Sequence, residues 1–459
     1  MNTTKTNRAE LLRSGPLTST ILQMAFPSII SFLITSIYNL ADTYFVSSLG
    51  TQATAAVSVN QSLDMVIMMM GSLLGVGSGS LISRLLGARE KEKADKVLST
   101  NFTLAFLLGA LVMTFGTIFM HPLVRLLGAT ATCEQYSMQY ATYVLMAAPF
   151  MTANFVMNQC LRAEGSAMLS MVGMGFGGVL NCFLDPLFIF KFGLGVAGAS
   201  MATAISKLVS FCILIFPYLR GTSMLHLRIK NIVIDFKMLG EVCSIGSSSM
   251  FRTAFSVISG IILNKLAGQI SDSVLAGIGV CNKIMMFPFG FVIGFGQGFQ
   301  PVSGFNWGAK QYDRVLESYH ISGRIAFCGA AVMGALIGIF ADPLIGLFSS
   351  YDAEMLSIGA LAIRLQCAAL PIHAWVAIVN MLCVSVGKAK GALALSTARQ
   401  GTCFLPIVFP MAALWGATGL AAVQTAADVL TLALAFPIRK KMLNVIAKEA
   451  ESSRMSVID

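Results

Sequence analysis

Four side chains in the first half of the chain carry oxygen atoms that could take up a small cation. Asn181 and Asp185 lie in the run Asn-Cys-Phe-Leu-Asp-Pro. Their spacing of four sets both on one face of a helix. Asp42 lies in Tyr-Asn-Leu-Ala-Asp-Thr at 38–43, and Thr203 near the start of a later apolar run. Two carboxylates, an amide and a hydroxyl are hard ligands that suit Na⁺. They suit protons equally, because neighbouring carboxylates and burial both favour the neutral form. Tyr140 lies nearby at the same end of its run, and Asp64 in the second run either faces the same cavity or pairs with Lys or Arg. Pro186 follows Asp185 directly and cannot donate to the carbonyl of Cys182, which permits a bend beside the acid. Taken singly, Asn181 and Thr203 read as interhelical hydrogen-bonding groups. At a common depth with two acids they read as a cation-binding set, since ionisable groups in apolar runs are rare without a role. No other chemistry competes. The four histidines are far apart, and the ten cysteines lack metal-ligand spacing.

The elements that must hold these groups follow from composition. The chain has 459 residues, 56% hydrophobic and 11% charged, with a mean hydropathy of +0.77. So few charges could not cover a water-soluble surface, which excludes a cytosolic enzyme and a nucleic-acid-binding module. Runs of about 20 apolar residues each cross a membrane as a helix. Twelve are expected, at 20–46, 54–80, 98–119, 136–159, 166–190, 195–217, 241–265, 274–301, 318–341, 355–381, 391–414 and 417–438. The fold class is an all-α polytopic membrane protein. On this count 22 of the 31 Lys and Arg fall on one side and three on the other, which predicts that the basic side and both termini are cytoplasmic. The polar stretch that precedes the first apolar run predicts an uncleaved first helix. At 1.5 Å per residue, Asp185 lies about 9 Å and Thr203 about 12 Å from the outer ends of their runs.

The two halves repeat. Gly75-Val76-Gly77 recurs as Gly296-Gln297-Gly298, and Gly87-Ala88-Arg89 as Gly308-Ala309-Lys310. Pro122-Leu123 recurs as Pro343-Leu344, and Gly195 and Gly198 as Gly416 and Gly419, all at one constant offset. Pro149 and Gly165 recur as Pro371 and Gly387, in a register one position longer. Six spans per repeat is an even number, so the repeats are parallel. The expected organisation is an N-lobe over 1–219, a cytoplasmic connector over 220–240, and a C-lobe over 241–459 with its tail. Lys207 and Asp428 occupy equivalent repeat positions, and Arg252, Lys283, Arg324, Arg364 and Arg399 are expected to pair or snorkel. No nucleotide-binding loop is present, so work would draw on an ion gradient or potential.

The chain resembles the multidrug and toxic compound extrusion (MATE) family over essentially its whole length. The likeness rests on Ala41-Asp42-Thr43, Ser83-Arg84-Leu85-Leu86-Gly87-Ala88, Arg162-Ala163-Glu164-Gly165, Asn181 through Pro186, and Gly195-Val196-Ala197-Gly198-Ala199. The Ser-Arg-Leu-Leu-Gly-Ala and Leu-Asp-Pro stretches are most like its MepA-like bacterial branch. The resemblance implies a V-shaped pair of lobes in the bacterial cytoplasmic (inner) membrane. It implies export of bulky, often cationic drug-like compounds in exchange for H⁺ or Na⁺, with no other cofactor. Family cation-site residues carry over to Asp42, Asn181, Asp185 and Thr203, with Tyr140 nearby and Asn154 as a cavity residue. The second half departs from relatives that use acids in spans 7 and 10: span 7 has no Asp or Glu, and span 10 only Glu354 at its boundary. A monomer in contact with membrane lipid is expected, without nucleic acid. A flippase for a lipid-linked precursor is the alternative, which would demand extra spans or an Arg-lined groove. A non-transporting receptor would need neither intramembrane acids nor paired lobes.

Overall fold

A computed structural model describes residues 9–348 and 352–458. Lys5 and Arg8, counted above among the basic loops, lie outside the described residues. The apolar runs fold as helices because backbone polar groups in lipid must be satisfied within the segment. The elements are α1 (Leu17–Ser47), α2 (Thr51–Gly87), α3 (Lys91–Ile118), α4 (Glu134–Ala163), α5 (Ala167–Pro186), α6 (Gly195–Leu219), α7 (Phe236–Ile270), α8 (Asp272–Gly308), α9 (Tyr312–Ile339) and α10 (Ala353–Val386). A π-turn over Leu187–Lys191 extends α5. The helix α11 starts at Ala389–Thr397, passes through a second π-turn at Ala398–Thr402, and resumes at 404. At Gly416 it leads into α12, which continues to Ile458, so the 11 long apolar helical stretches among the described residues comprise the twelve expected spans, the last two joined end to end. Gly416 divides the last stretch in two with φ 54° and ψ −128°, which only glycine adopts readily.

The repeat is legible in the backbone. Gly195, which opens α6, has φ 56°, and its repeat equivalent Gly416 has φ 54°. Arg89 and Lys310, equivalent in the same register, both take positive φ, 63° and 57°, as α2 and α8 end. The helices α3 and α9 have 28 residues each, and short helices, Met120–Leu126 and Ala341–Gly346, follow them. Both turn apolar stripes outward: Leu111, Phe115, Ile118 and Phe119 on the first side, Val332, Leu336, Ile339 and Phe340 on the second, all exposed at equivalent repeat positions. Such stripes suit a lipid-facing surface.

Within each half the fourth helix is the packing centre. The helix α4 lies against α2, α3 and α6, and α10 against α8, α9 and α12. Between the halves, α1 packs on α8 and α2 on α7, contacts that the repeat interchanges. These crossings are close on the half that carries the basic loops. Gly77 meets the backbone of Val242, Gly246 that of Leu73, and Gly298 that of Ala25. The Gly75-Val76-Gly77 run thus serves close helix packing, as expected. Polar contacts seal the same end. Arg84 pairs with Glu241 at 2.8 Å, Ser80 Oγ donates to the Val384 carbonyl, and Arg314 Nη2 donates to the Gly15 carbonyl at 2.8 Å.

The connector is strapped to the first repeat. Glu164, fully buried, accepts from Ser223 Oγ at 2.6 Å, Met224 N at 3.0 Å and Leu225 N at 3.2 Å. Asp95 accepts from His226 N at 2.8 Å. Asp235 caps α7, which begins at Phe236, so the last part of 220–240 is helical rather than linker. Arg162, one of the 22 Lys and Arg assigned to the basic side, is not in an open loop but buried in the last turn of α4, and donates to Ser170 Oγ at 3.0 Å.

Candidate functional site

Glycines on α5 bring its polar face against two neighbours. A Cβ on Gly178 would lie 2.9 Å from the Tyr38 ring of α1, and one on Gly177 3.0 Å from the Ser206 carbonyl of α6. One turn on, Asn181 and Asp185 therefore face α1 and α6 at close range. Asn181 Nδ2 donates to Asp185 Oδ1 at 3.1 Å and reaches Thr203 Oγ1 at 3.3 Å. Asp42 on α1 is 9% exposed, Asn181 2% and Asp185 0%. The Tyr140 side chain of α4, buried, lies beside both Asp42 and Thr203. Asp42 and Asp185 lie near enough for each charge to act on the other, and Asp64 acts on Asp42 in the same way. Four helices thus bring together Asp42, Tyr140, Asn181, Asp185 and Thr203, with Asp64 on α2 at the margin.

What this set lacks is donors. Asp42 Oδ1, Asp64 Oδ1, Asn181 Oδ1 and Asp185 Oδ2 are buried, and none has a hydrogen-bond partner among the described residues. A buried acceptor left unpaired costs about 1–3 kcal/mol, more when charged. Oxygen acceptors converging without donors fit a proton or a hard cation. Pro186 leaves the helix unbroken: it keeps helical φ and ψ of −65° and −30°, and the chain passes into the π-turn. Phe190 of that turn meets Phe45 of α1 edge-on at 6.3 Å, beside the acids.

A small cavity of about 30 Å³ opens on the inner side of the set, lined by Tyr38, Asn154, Asn181, Thr203, Ser206 and Lys207 among others. Asn154 donates to Ser210 Oγ at 3.0 Å across it. Lys207 is the residue that sequence reasoning left without a role. Its Nζ donates to the Tyr38 hydroxyl at 2.9 Å and lies 5.0 Å from the centre of that ring. It is also the cation that acts on Asp64.

The second half has a different cluster, in which Arg399, expected to pair or snorkel, pairs with an acid that the sequence did not single out as its partner. Arg399 Nε donates to Asp428 Oδ1 at 2.6 Å, with side chains only 13% and 3% exposed. The guanidinium stacks 4.3 Å over Phe289, and His373 Nδ1 lies 3.8 Å from Asp428 Oδ1. Arg399 sits in the second π-turn, so each half places such a turn at its polar cluster. The available signal was the equivalence of Lys207 and Asp428: the repeat turns one polar position inward in both halves. Of the other cations expected to pair, Arg364 meets Asp342 at 2.5 Å on the surface.

Comparison with known proteins identifies the family. The MatE family model matches twice, over residues 27–187 and 249–409. The chain belongs to the multidrug and toxic compound extrusion family. It is therefore a transporter rather than an enzyme, and a multi-pass membrane protein. The two matches, opening at 27 and at 249, follow the same repeat that the backbone shows. The multidrug export protein MepA of Staphylococcus aureus (strain N315) is 27% identical over 409 residues, covering 88% of this chain and 90% of that protein. MepA of Staphylococcus saprophyticus is 26% identical over 403 residues, covering 87% and 88%. Among solved structures, an outward-facing multidrug resistance MATE transporter superposes with a TM-score of 0.90 at 25% identity, over 95% of this chain and 98% of that one. A MATE protein in complex with MaL6 superposes at 0.91 and 24% identity, over 96% and 99%.

Proposed function

We propose that this MATE protein is an ion-coupled efflux antiporter, in which H⁺ or Na⁺ binding at Asp42, Asn181, Asp185 and Thr203 drives the export of bulky, often cationic compounds. The observation that carries this reading is the unpaired state of Asp42 Oδ1, Asn181 Oδ1 and Asp185 Oδ2 in one buried cluster. An entering cation satisfies all three at once, so loading changes the local free energy by several kcal/mol on the scale of single buried acceptors. The relatives named multidrug export proteins support drug-like cargo. Tyr140, Asn154 and Asp64 then border the path of the cargo.

The coupling element lies where α5 meets α1. Pro186 and the following π-turn make the end of α5 the weakest stretch of backbone next to the acids. Charging and discharging Asp185 biases how that end packs on α1, which is the differential interaction a two-state transporter needs. The lobes, 1–219 and 241–459, then rock about the α1–α8 and α2–α7 crossings while the connector over 220–240 travels with the first. If the basic face is cytoplasmic, with both termini on it, the sealed crossings correspond to an outward-facing form of a single working chain. The C-lobe acid Asp428 is already held by Arg399, which leaves coupling to the N-lobe.

The test is dye efflux from proteoliposomes under a pH gradient alone and then a Na⁺ gradient alone. Asp42→Asn and Asp185→Asn should insert at normal levels and lose export driven by whichever gradient powers the wild type. Undiminished export in both variants at matched expression would refute the site assignment.

A further inference from the structure

Between the lobes, on the sealed side, lies a second small cavity of about 20 Å³. Arg252 of α7 enters it. Its Nη2 donates to Ser249 Oγ at 3.2 Å, and it makes no ion pair among the described residues. The remaining lining is amide and hydroxyl: Gln159 from α4, Gln297 and Gln300 from α8, and Asn380 from α10, each no more than 9% exposed. No Asp or Glu lines the cavity. Two amide oxygens, Gln297 Oε1 and Asn380 Oδ1, have no partner and Asn380 Nδ2 is spent on Ser396 Oγ at 2.7 Å, so an anion would draw on Arg252 and on rotation of the Gln297 amide. The acid of this half, Asp428, is bound by Arg399.

Arg252 is partly buried, and even a partly desolvated guanidinium without a counter-ion carries a cost. The scaffold does not require it: the equivalent position in the first repeat is Ser31, whose hydroxyl simply donates to the Pro27 carbonyl at 2.9 Å. An arginine surrounded by turnable amides and serine hydroxyls is a donor set for an anion, and guanidinium matches a carboxylate in particular. Size narrows the choice, since holding one water takes about 10–15 Å³ on this measure. The cavity accepts a carboxylate head or a monatomic anion, with no space for a ring system.

We infer that the Arg252 cavity is an anion subsite between the lobes, taking a carboxylate carried by the cargo or a free small anion. Resting on the efflux reading, this gives a zwitterionic cargo two anchors: its cationic part toward the N-lobe acids and its carboxylate toward Arg252. Contact with both lobes gives the anion a role only when this face is closed.

The experiment uses the full chain. Proteoliposome efflux is compared for rhodamine B, which carries a carboxylate, and its ethyl ester, which does not, in chloride and in isethionate, a sulfonate whose head is too bulky for the cavity. The melting temperature of the purified protein is followed with added chloride or acetate. For cargo-borne anion, Arg252→Gln should raise KM for rhodamine B about tenfold and leave the ester within about twofold, with Arg252→Lys restoring most of the difference. For a free anion, isethionate should slow efflux of both dyes in the wild type but not in Arg252→Gln, and the stabilisation by chloride or acetate should vanish in that variant. Equal slowing of both dyes by Arg252→Gln, with no anion dependence of efflux or melting, would overturn the inference and leave the efflux reading intact. If the wild type moves neither dye, the efflux reading fails, and anion-dependent melting lost in Arg252→Gln still decides for or against the subsite.

Discussion

Gly87 and Gly308 occupy the same place in the two repeats, and each lies against the other's helix. A Cβ on Gly87 would sit 2.0 Å from the Phe305 carbonyl of α8, and one on Gly308 would sit 1.9 Å from the Arg84 carbonyl of α2. Phe305 and Arg84 are themselves repeat equivalents, so the contact is reciprocal. It brings backbone to backbone at the basic end of the lobe interface, where any side chain would hold the helices apart.

Gly87→Ala and Gly308→Ala should therefore each destabilise the closed basic face. Forcing a methyl group into such a contact costs about 1–3 kcal/mol, enough to shift a lobe equilibrium several-fold or more. Spin labels at the exposed, repeat-equivalent positions Glu92 and Asp313 should report a longer distance population by double electron–electron resonance. A distribution identical to that of the glycine protein would count against this contact as a gate.

The buried pair Arg399–Asp428 should show the asymmetry of an interior ion pair. Arg399→Leu alone leaves Asp428 uncompensated and should destabilise the fold by about 3–5 kcal/mol. The double change Arg399→Leu, Asp428→Leu should recover most of that loss, because both charges leave together. Denaturant unfolding in detergent measures both. A double variant as weak as the single would show that the pair does more than neutralise itself.

Glu164 accepts two backbone amides and two hydroxyls, from Ser166, Ser223, Met224 and Leu225. Glu164→Ala removes these acceptors: Met224 N loses its partner while Leu225 N keeps Ser223 Oγ at 3.1 Å, and each donor left unpaired costs about 1–3 kcal/mol. The connector should then open locally. Trypsin should cut at the exposed Arg228 and Lys230 about tenfold faster, as local opening governs such cleavage. An unchanged cleavage rate would mean that the contacts of Asp95 and Thr100 suffice to hold the strap.

Lys207 places a fixed positive charge beside the N-lobe acids. Lys207→Met removes it, so an incoming cation meets less repulsion. The concentration of H⁺ or Na⁺ giving half-maximal export should fall about three- to tenfold, the effect of about 1 kcal/mol of relieved repulsion. A higher half-maximal concentration would instead make Lys207 a necessary partner of Tyr38.

Much of the site was legible because its parts are local. Asn181 and Asp185 share a helix face by spacing alone, and their hydrogen bond needs nothing beyond α5. Pro186 was legible only in part. The missing N–H was evident, but the π-turn that keeps the helix running depends on how Leu187–Lys191 packs. The boundary between the last two spans shows the same division. Glycine at 416 was visible, whereas its φ of 54° within a continuous helical course was not.

By itself, the sequence determined that this protein is a duplicated bundle of membrane helices, how its charges divide between two faces, and which acids lie at one depth. Apolar run length, Lys and Arg placement and the register that pairs Gly75 with Gly296 and Gly195 with Gly416 are all measured along the chain, where rise per residue is constant. Only the tertiary structure decided which side chains meet. The partner of Arg399 lies 29 residues away on another helix, Lys207 reaches Tyr38 from a distant helix, and Arg252 meets amides from both halves. Those encounters depend on the rotation and crossing of packed helices, which side-chain volumes set jointly and no single stretch of residues encodes.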